Sequence, residues 1–437
     1  MSEPVPASAG VVETQYLDLP RPVRLDCGRD LHPVRIAYET YGTLSPARDN
    51  VILVCHALSG DAHAAGVART PPAESTRDGF GAADRDGTAA RGLGWWDGMI
   101  GPGKAFDTDR YFVVSTNLLG GCRGTTGPSS ADPATGQPYG PDFPVITVAD
   151  MVRAQRAFLD VLGIGRLAAV AGGSLGGMQA LEWGIAYPGQ VDAIVAIAST
   201  HALQPQGVAW NFIARDAIMR DPAWQGGRYY GTGAAPEAGM GVARMVGHVT
   251  YLSAQALSDK FGRALQPSPG GATPRTPRDA PDEKANIPGT PPRPGDIRYT
   301  LTEPEFAIES YLRHQAGSFV RRFDANTYLV MSRALTYFDL ARSHGGTLAA
   351  ALAPVRARVL LIAFTSDWLY PPSGSREIAD ALRALGRAPE LHVIDAPYGH
   401  DCFLLEEARQ TPLIAGFLAA GGEADPCEIN GNETMSR

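Results

Sequence analysis

Little in this sequence points toward nucleic acid, lipid or an oxidising compartment. Basic residues are outnumbered, 38 Lys and Arg against 46 Asp and Glu, for a formal net charge of −8. A surface that neutralises phosphates needs the opposite balance, which excludes nucleic acid as a main partner. No apolar run approaches the ~20 residues that a bilayer requires, so no membrane association is expected. The opening "MSEPVPASAG" has no basic segment followed by an apolar core, and a cytoplasmic location is expected. The five cysteines, Cys27, Cys55, Cys122, Cys402 and Cys427, form no C-x-x-C pair. That number and spacing predict reduced thiols, neither a disulfide frame nor a zinc site.

What is present is an alternation of apolar runs and helical stretches. "VILVC" (51–55), "YFVVSTN" (111–117), "LAAVAG" (167–172), "VDAIVAIAST" (191–200), "RVLLIAFTS" (358–366) and "ELHVIDA" (390–396) read as strands. They are nearly continuous in apolar character, which a parallel sheet covered on both faces demands. Helices are expected over 148–164 and after residue 174, the second stopped by Pro188. The class is therefore α/β, with an open, mostly parallel, doubly wound sheet. Residues 16–200 and 346–420 are expected to form this core. Residues 201–345 are helical in texture and predict a cap inserted over the sheet's carboxyl edge, where such folds bind ligands. Within the cap, 266–295 packs nine prolines into thirty residues and is expected to be disordered. Residues 1–15 and the tail 421–437 are expected to be loose.

The chemistry concentrates at "AGGSLGGMQ" (171–179), where a strand hands over to a helix. Gly172, Ser174 and Gly176 fit G-x-S-x-G in the strand–turn–helix setting of a nucleophile elbow. A serine hydroxyl needs a base, and the base needs a carboxylate to orient it. His400, in "APYGHDCFLLE", follows the last strand and can reach back over the sheet edge. Asp367, in "FTSDWLY", follows a strand on the same edge; Asp395 competes but is read as lying within its strand. The oxyanion donors expected are the backbone N–H groups of Leu175 and Leu58. His56, Asp61 and His63 could be taken for metal ligands, but no further group completes a set, and no metal is expected.

Eight segments, among them "YETYGTL" (38–44), "HALSGDAH" (56–63), "WWDGMIGPGKAFDT" (95–108), "STNLLGGCRGTTGPSS" (115–130), "FDANTYLVMSRAL" (323–335) and "YGHDCFL" (398–404), recur in an order that resembles the homoserine O-acetyltransferase family of α/β-hydrolase-fold enzymes. The likeness spans about 16–418; the 266–295 segment departs from it as an insertion. The resemblance implies ping-pong transfer in a homodimer. Ser174 takes an acetyl group from acetyl-CoA, a co-substrate rather than a bound cofactor, and passes it to the γ-hydroxyl of L-homoserine, an early step toward methionine. It also implies that Arg244 grips the homoserine carboxylate, that Asp401 meets its ammonium, and that Tyr251 supports the same pocket. Segment 118–127 would line the acyl tunnel, with Arg123 near the CoA entrance. Succinyl-CoA in place of acetyl-CoA, L-serine in place of homoserine, an esterase or thioesterase using water, and a non-catalytic binding protein on the same fold stand as alternatives.

Overall fold

The computed structural model describes residues 8–69, 92–266, 297 and 299–421. Eight strands form one sheet: β1 (Gln15–Asp18), β2 (Arg35–Tyr41), β3 (Val51–Cys55), β4 (Phe112–Thr116), β5 (Ala169–Gly173), β6 (Ala193–Ile197), β7 (Arg358–Phe364) and β8 (Glu390–Ile394). Their spatial order is β8-β7-β6-β5-β3-β4-β2-β1. β3 through β8 pair in parallel, while β2 runs antiparallel to both β4 and β1. All six strands read from the sequence are present. The two antiparallel strands are additions that continuous apolar character could not reveal, because β1 is almost wholly exposed and β2 mixes buried with half-buried and exposed residues.

Parallel strands need cover on both faces, and successive side chains supply it. Val51, Leu53 and Cys55 of β3 enter one core; Ile52 and Val54 enter the other. The first core lies under α1 (Val148–Val161) and α2 (Leu175–Ala186); the second is closed in part by α9 (Glu407–Ala419). Helix α1 starts at a Thr147–Asp150 capping box, which satisfies two orphan N–H groups at once.

Between β6 and β7 the chain leaves the sheet and forms α3 (Pro205–Arg220), α4 (Glu237–Tyr251), α5 (Ala254–Phe261), α6 (Ala307–Val320) and α7 (Ala325–Tyr337) before re-entering it at β7; α8 (Pro372–Ala384) then joins β7 to β8. Ala214 and Ile218 of α3, Met240 and Ala243 of α4, and Phe319 of α6 build a small core of the cap's own. No described helix is long and apolar enough to cross a membrane.

The proline-rich 266–295 segment and the tail 421–437 lie, but for their first residues, outside the described residues. The N-terminal segment corrects an expectation. Over 8–15 it is not loose: Val11 and Val12 pair in parallel with Val67 and Ala68, and the Thr14 hydroxyl donates to Glu39 Oε1 at 2.8 Å. A buried carboxylate in β2 is what fixes it.

Candidate active site

Ser174 sits between β5 and α2 with φ 58° and ψ −123°. For a residue with a side chain that conformation costs on the order of 1–3 kcal/mol and persists only where packing forces it. The packing is that of backbone on backbone. A Cβ at Gly176 would lie 2.0 Å from the Cys55 carbonyl oxygen, and one at Gly172 would lie 2.5 Å from the Gly176 carbonyl carbon. Only glycine lets α2 start this close to the ends of β3 and β5, and the turn throws the serine outward.

Asp367, three residues past β7, is 2 % exposed. Its Oδ1 accepts the N–H groups of Leu369 (3.1 Å) and Tyr370 (2.9 Å), and its Oδ2 lies 2.8 Å from His400 Nδ1. A carboxylate there fixes the proton on Nδ1 and leaves Nε2 as the ring's basic nitrogen. The His400 ring is held by the Tyr370 ring, edge-on at 4.9 Å, and by Phe403 at 5.4 Å. The competing Asp395 stands one residue beyond β8, not within it, and accepts from the Thr365 hydroxyl at 2.7 Å.

Ser174, His400, Leu58, Arg244, Asp401 and Tyr251 all line one pocket of about 780 Å³, counted out into its open mouth. Among the described residues no acceptor takes the N–H of Leu58 or of Leu175. Leu58 lies two residues after His56, whose pKa burial lowers. Its Nδ1–H donates to the Ala57 carbonyl at 2.7 Å, and its Nε2 accepts the Leu118 N–H at 3.1 Å. Below, Gln179 donates to the His56 and Leu175 carbonyls, tying both candidate oxyanion donors to α2. His63 bonds Glu39 and the Gly92 carbonyl. These histidines hold the loop in shape.

The cap side of the pocket is charged. Arg244, one turn before His248 on α4, is 5 % exposed, and its Nε has no hydrogen-bond partner. Asp401 is 4 % exposed, and its Oδ2 has none either. Burial pushes the Asp401 carboxyl up to about 6, while His400 and Arg244 pull the other way. His248 is driven down to about 2 by burial and by the cations Arg244, Lys260 and Arg322, so it stays neutral. The pocket thus offers a fixed cation and an ionisable acid in one space with a serine. A ligand carrying both a carboxylate and an ammonium satisfies both.

The cap is pinned where the charge relay is. The Trp368 indole N–H donates to the Leu252 carbonyl at 3.0 Å, and the Ser253 hydroxyl donates to the Pro397 carbonyl. Gly399, with φ +78°, abuts the same turn, so that a Cβ there would lie 2.5 Å from the Ser253 nitrogen. The residues flanking Asp367 and His400 both seat on Tyr251–Ser253.

No residue of segment 118–127 lines this pocket; Gly120 packs against Ile146, Val330 and Met331, and Cys122 against the cap core. Tyr370, Tyr328 and Trp210 line the pocket without having been singled out. The first two lie inside quoted motifs, but nothing in their spacing separates a pocket tyrosine from a core one.

Comparison with known proteins gives a consistent result. A family model described as the alpha/beta hydrolase fold matches residues 50–407. A homoserine O-acetyltransferase of Methanosphaerula palustris is 46% identical over 411 residues, 94% of this chain and 74% of the relative. Homoserine O-succinyltransferases of Halothiobacillus neapolitanus (46% over 412 residues, 94% of this chain and 91% of the relative) and Ectopseudomonas mendocina (47% over 411 residues, 94% and 97%) match as well. Among solved structures, homoserine O-acetyltransferase from Bacillus anthracis superposes with TM-score 0.76 at 29% identity, covering 93% of this chain and 98% of that one. Esterase E22 gives the same score and identity, covering 93% and 100%.

Proposed function

From the premise that this chain belongs to the homoserine O-acyltransferases of the alpha/beta-hydrolase fold, we propose that it moves an acetyl group from acetyl-CoA to the γ-hydroxyl of L-homoserine through an acyl-Ser174 intermediate. The observation that carries the acceptor is the pair of buried, unsatisfied charges, Arg244 and Asp401, beside the serine. Water as acceptor needs neither.

Ser174 Oγ attacks the thioester carbonyl carbon while His400 Nε2 takes the hydroxyl proton. Asp367 stabilises the imidazolium, and the N–H groups of Leu58 and Leu175 receive the oxyanion. Collapse breaks the C–S bond, and His400 returns the proton to the CoA sulfur. Homoserine then enters between Arg244 and Asp401, with Tyr251 supporting the pocket. Its γ-oxygen attacks the acyl carbon, His400 removes that proton, and Ser174 leaves carrying it. The products are O-acetyl-L-homoserine, CoA and free enzyme. The reading needs no resident cofactor or metal. It carries a cytoplasmic homodimer, for which the exposed Phe212 and Ile213 of α3 offer an apolar contact; sedimentation of the purified chain tests it.

A second reading, succinyl-CoA as donor, is favoured by one observation: the relatives from Halothiobacillus and Ectopseudomonas carry the succinyltransferase name. One experiment decides between donors. The protein is exposed briefly to each acyl-CoA, digested, and the peptide containing Ser174 weighed; the mass gained names the acyl group. CoA release at full rate without homoserine would replace transfer with thioester hydrolysis.

A further inference from the structure

Among the polar groups of the pocket that the mechanism above leaves idle, one stands close to Arg244. Tyr328, in the first turn of α7, is 5 % exposed and lines the pocket with Arg244 and Ser174. Among the described residues its hydroxyl has no hydrogen-bond partner, although a buried phenol ordinarily finds one. Burial raises its pKa well above the usual value, so it is a donor at every working pH.

Its surroundings indicate what it would donate to. The groups whose charge acts on Tyr328 are the neighbouring phenol of Tyr251 and then two cations, Arg244 and Arg215; Asp401 is not among them. Tyr328 therefore lies on the cationic side of the pocket. Phe319 of α6 links the two groups. The Arg244 guanidinium carbon stands 4.6 Å from the Phe319 ring centre, and the Tyr328 ring meets the same Phe319 edge-on, centroids 6.4 Å apart at 83°. A planar cation resting on an aromatic face loses its freedom to roll, and its fork is presented in one plane. The same ring sets the tilt of the tyrosine.

We propose that Tyr328 is a third donor to the acceptor's carboxylate, beside the Arg244 fork, with Phe319 as the platform that aligns both. This rests on the acceptor reading above and extends it: selectivity for an α-amino acid over a plain amino alcohol is built jointly by helices α4, α6 and α7.

The test compares two ligands differing only in that carboxylate, L-homoserine and 3-aminopropan-1-ol, by calorimetry on the full-length, unacylated protein. Tyr328→Phe is expected to weaken L-homoserine binding about tenfold and leave 3-aminopropan-1-ol unchanged. Phe319→Leu moves homoserine the same way by a smaller factor, with circular dichroism confirming the fold. Equal homoserine affinity in Tyr328→Phe and the parent, or equal weakening of both ligands, overturns the assignment. So does a Tyr328→Phe protein that binds homoserine normally but acylates Ser174 slowly with succinyl-CoA and not with acetyl-CoA, since the hydroxyl would then serve the donor. Selective weakening of homoserine in a protein whose Ser174 never takes an acyl group would uphold this assignment and overturn the acyl-transfer reading instead.

Discussion

Asp367 and Asp401 are the same residue at nearly the same depth, 2 % and 4 % exposed, one bonded to His400 and the other next to it in the chain, yet their circumstances differ completely. Asp367 has three donors within 3.1 Å, spread over both of its oxygens. Asp401 has an oxygen with no partner, and burial raises its pKa to about 6. A carboxylate that is fully bonded in the resting protein is part of the frame. One buried at a cost and left open is suited to a visitor, because the ligand's charge removes a penalty that the fold has already incurred. The loops behind the sheet edge are complete as they stand; the cap-side pocket is complete only when occupied.

The sharpest way to break this contrast is to neutralise each acid in turn. Asp367→Asn should lower kcat by about 10⁴-fold, because the imidazole takes the wrong tautomer. Acylation of Ser174 and transfer to homoserine should fall together, as rapid-quench mass measurement of the acyl-enzyme would reveal. An acylation rate within tenfold of the parent would remove Asp367 from the relay.

Asp401→Asn should act on one half-reaction only. Acylation is expected to proceed normally while the KM for homoserine rises about 100-fold, the loss of a charge-assisted contact to the ammonium. The sign of its pH behaviour follows from the raised pKa. In the empty protein the folded carboxyl resists ionisation, so stability is greatest near pH 4 and declines as pH climbs to about 6. Asp401→Asn removes that decline and should stabilise the empty protein at neutral pH by on the order of 1–3 kcal/mol, measured by urea denaturation. Binding runs the other way: in the parent, homoserine KM should climb as pH falls through about 6, and in Asp401→Asn it should stay level. A pH-independent KM in the parent would refute the role of Asp401 as the ammonium's partner.

The smallest expected effect tests the border between the two regions. Ser253→Ala removes the hydroxyl that joins the cap turn to the Pro397 carbonyl beside the His400 loop. Acylation should be nearly unchanged, and the ratio of transfer to hydrolysis should drop a few-fold as the pocket closes less tightly over the acyl-enzyme. Product analysis by chromatography measures that ratio directly, and Ser253→Thr should restore it.

These two regions also differed in how far the sequence disclosed them. The relay was legible because its parts are tied to local patterns. Gly172 and Gly176 bracket a serine at a strand end, Asp367 follows an apolar run, and His400 sits in a glycine-containing loop past the last strand. The parallel strands were legible for the same reason. β1 and β2 were not, since "QYLD" buries no residue fully and "RIAYETY" carries a buried Glu39 that reads as exposed. Arg244 and Asp401 came from resemblance alone: nothing in "GMGVARMVGHVTY" distinguishes an arginine that faces inward from one in water. That depends on how α4 packs on α3 and α6, which no local window contains. In segment 118–127 Gly120 and Gly127 serve close approach to the cap and to its own loop, which the run of glycines does not reveal.

The turn Tyr251–Ser253, wedged against Gly399 and hooked by Trp368, bears on how this scaffold can acquire new substrates. A covering joined to its foundation so near the proton-carrying ring cannot be replaced wholesale without disturbing that ring. Diversification is thereby channelled into single side chains on the inner wall, and a chimera that exchanges residues 201–345 for another covering would need 366–370 and 397–400 from the same donor to remain active.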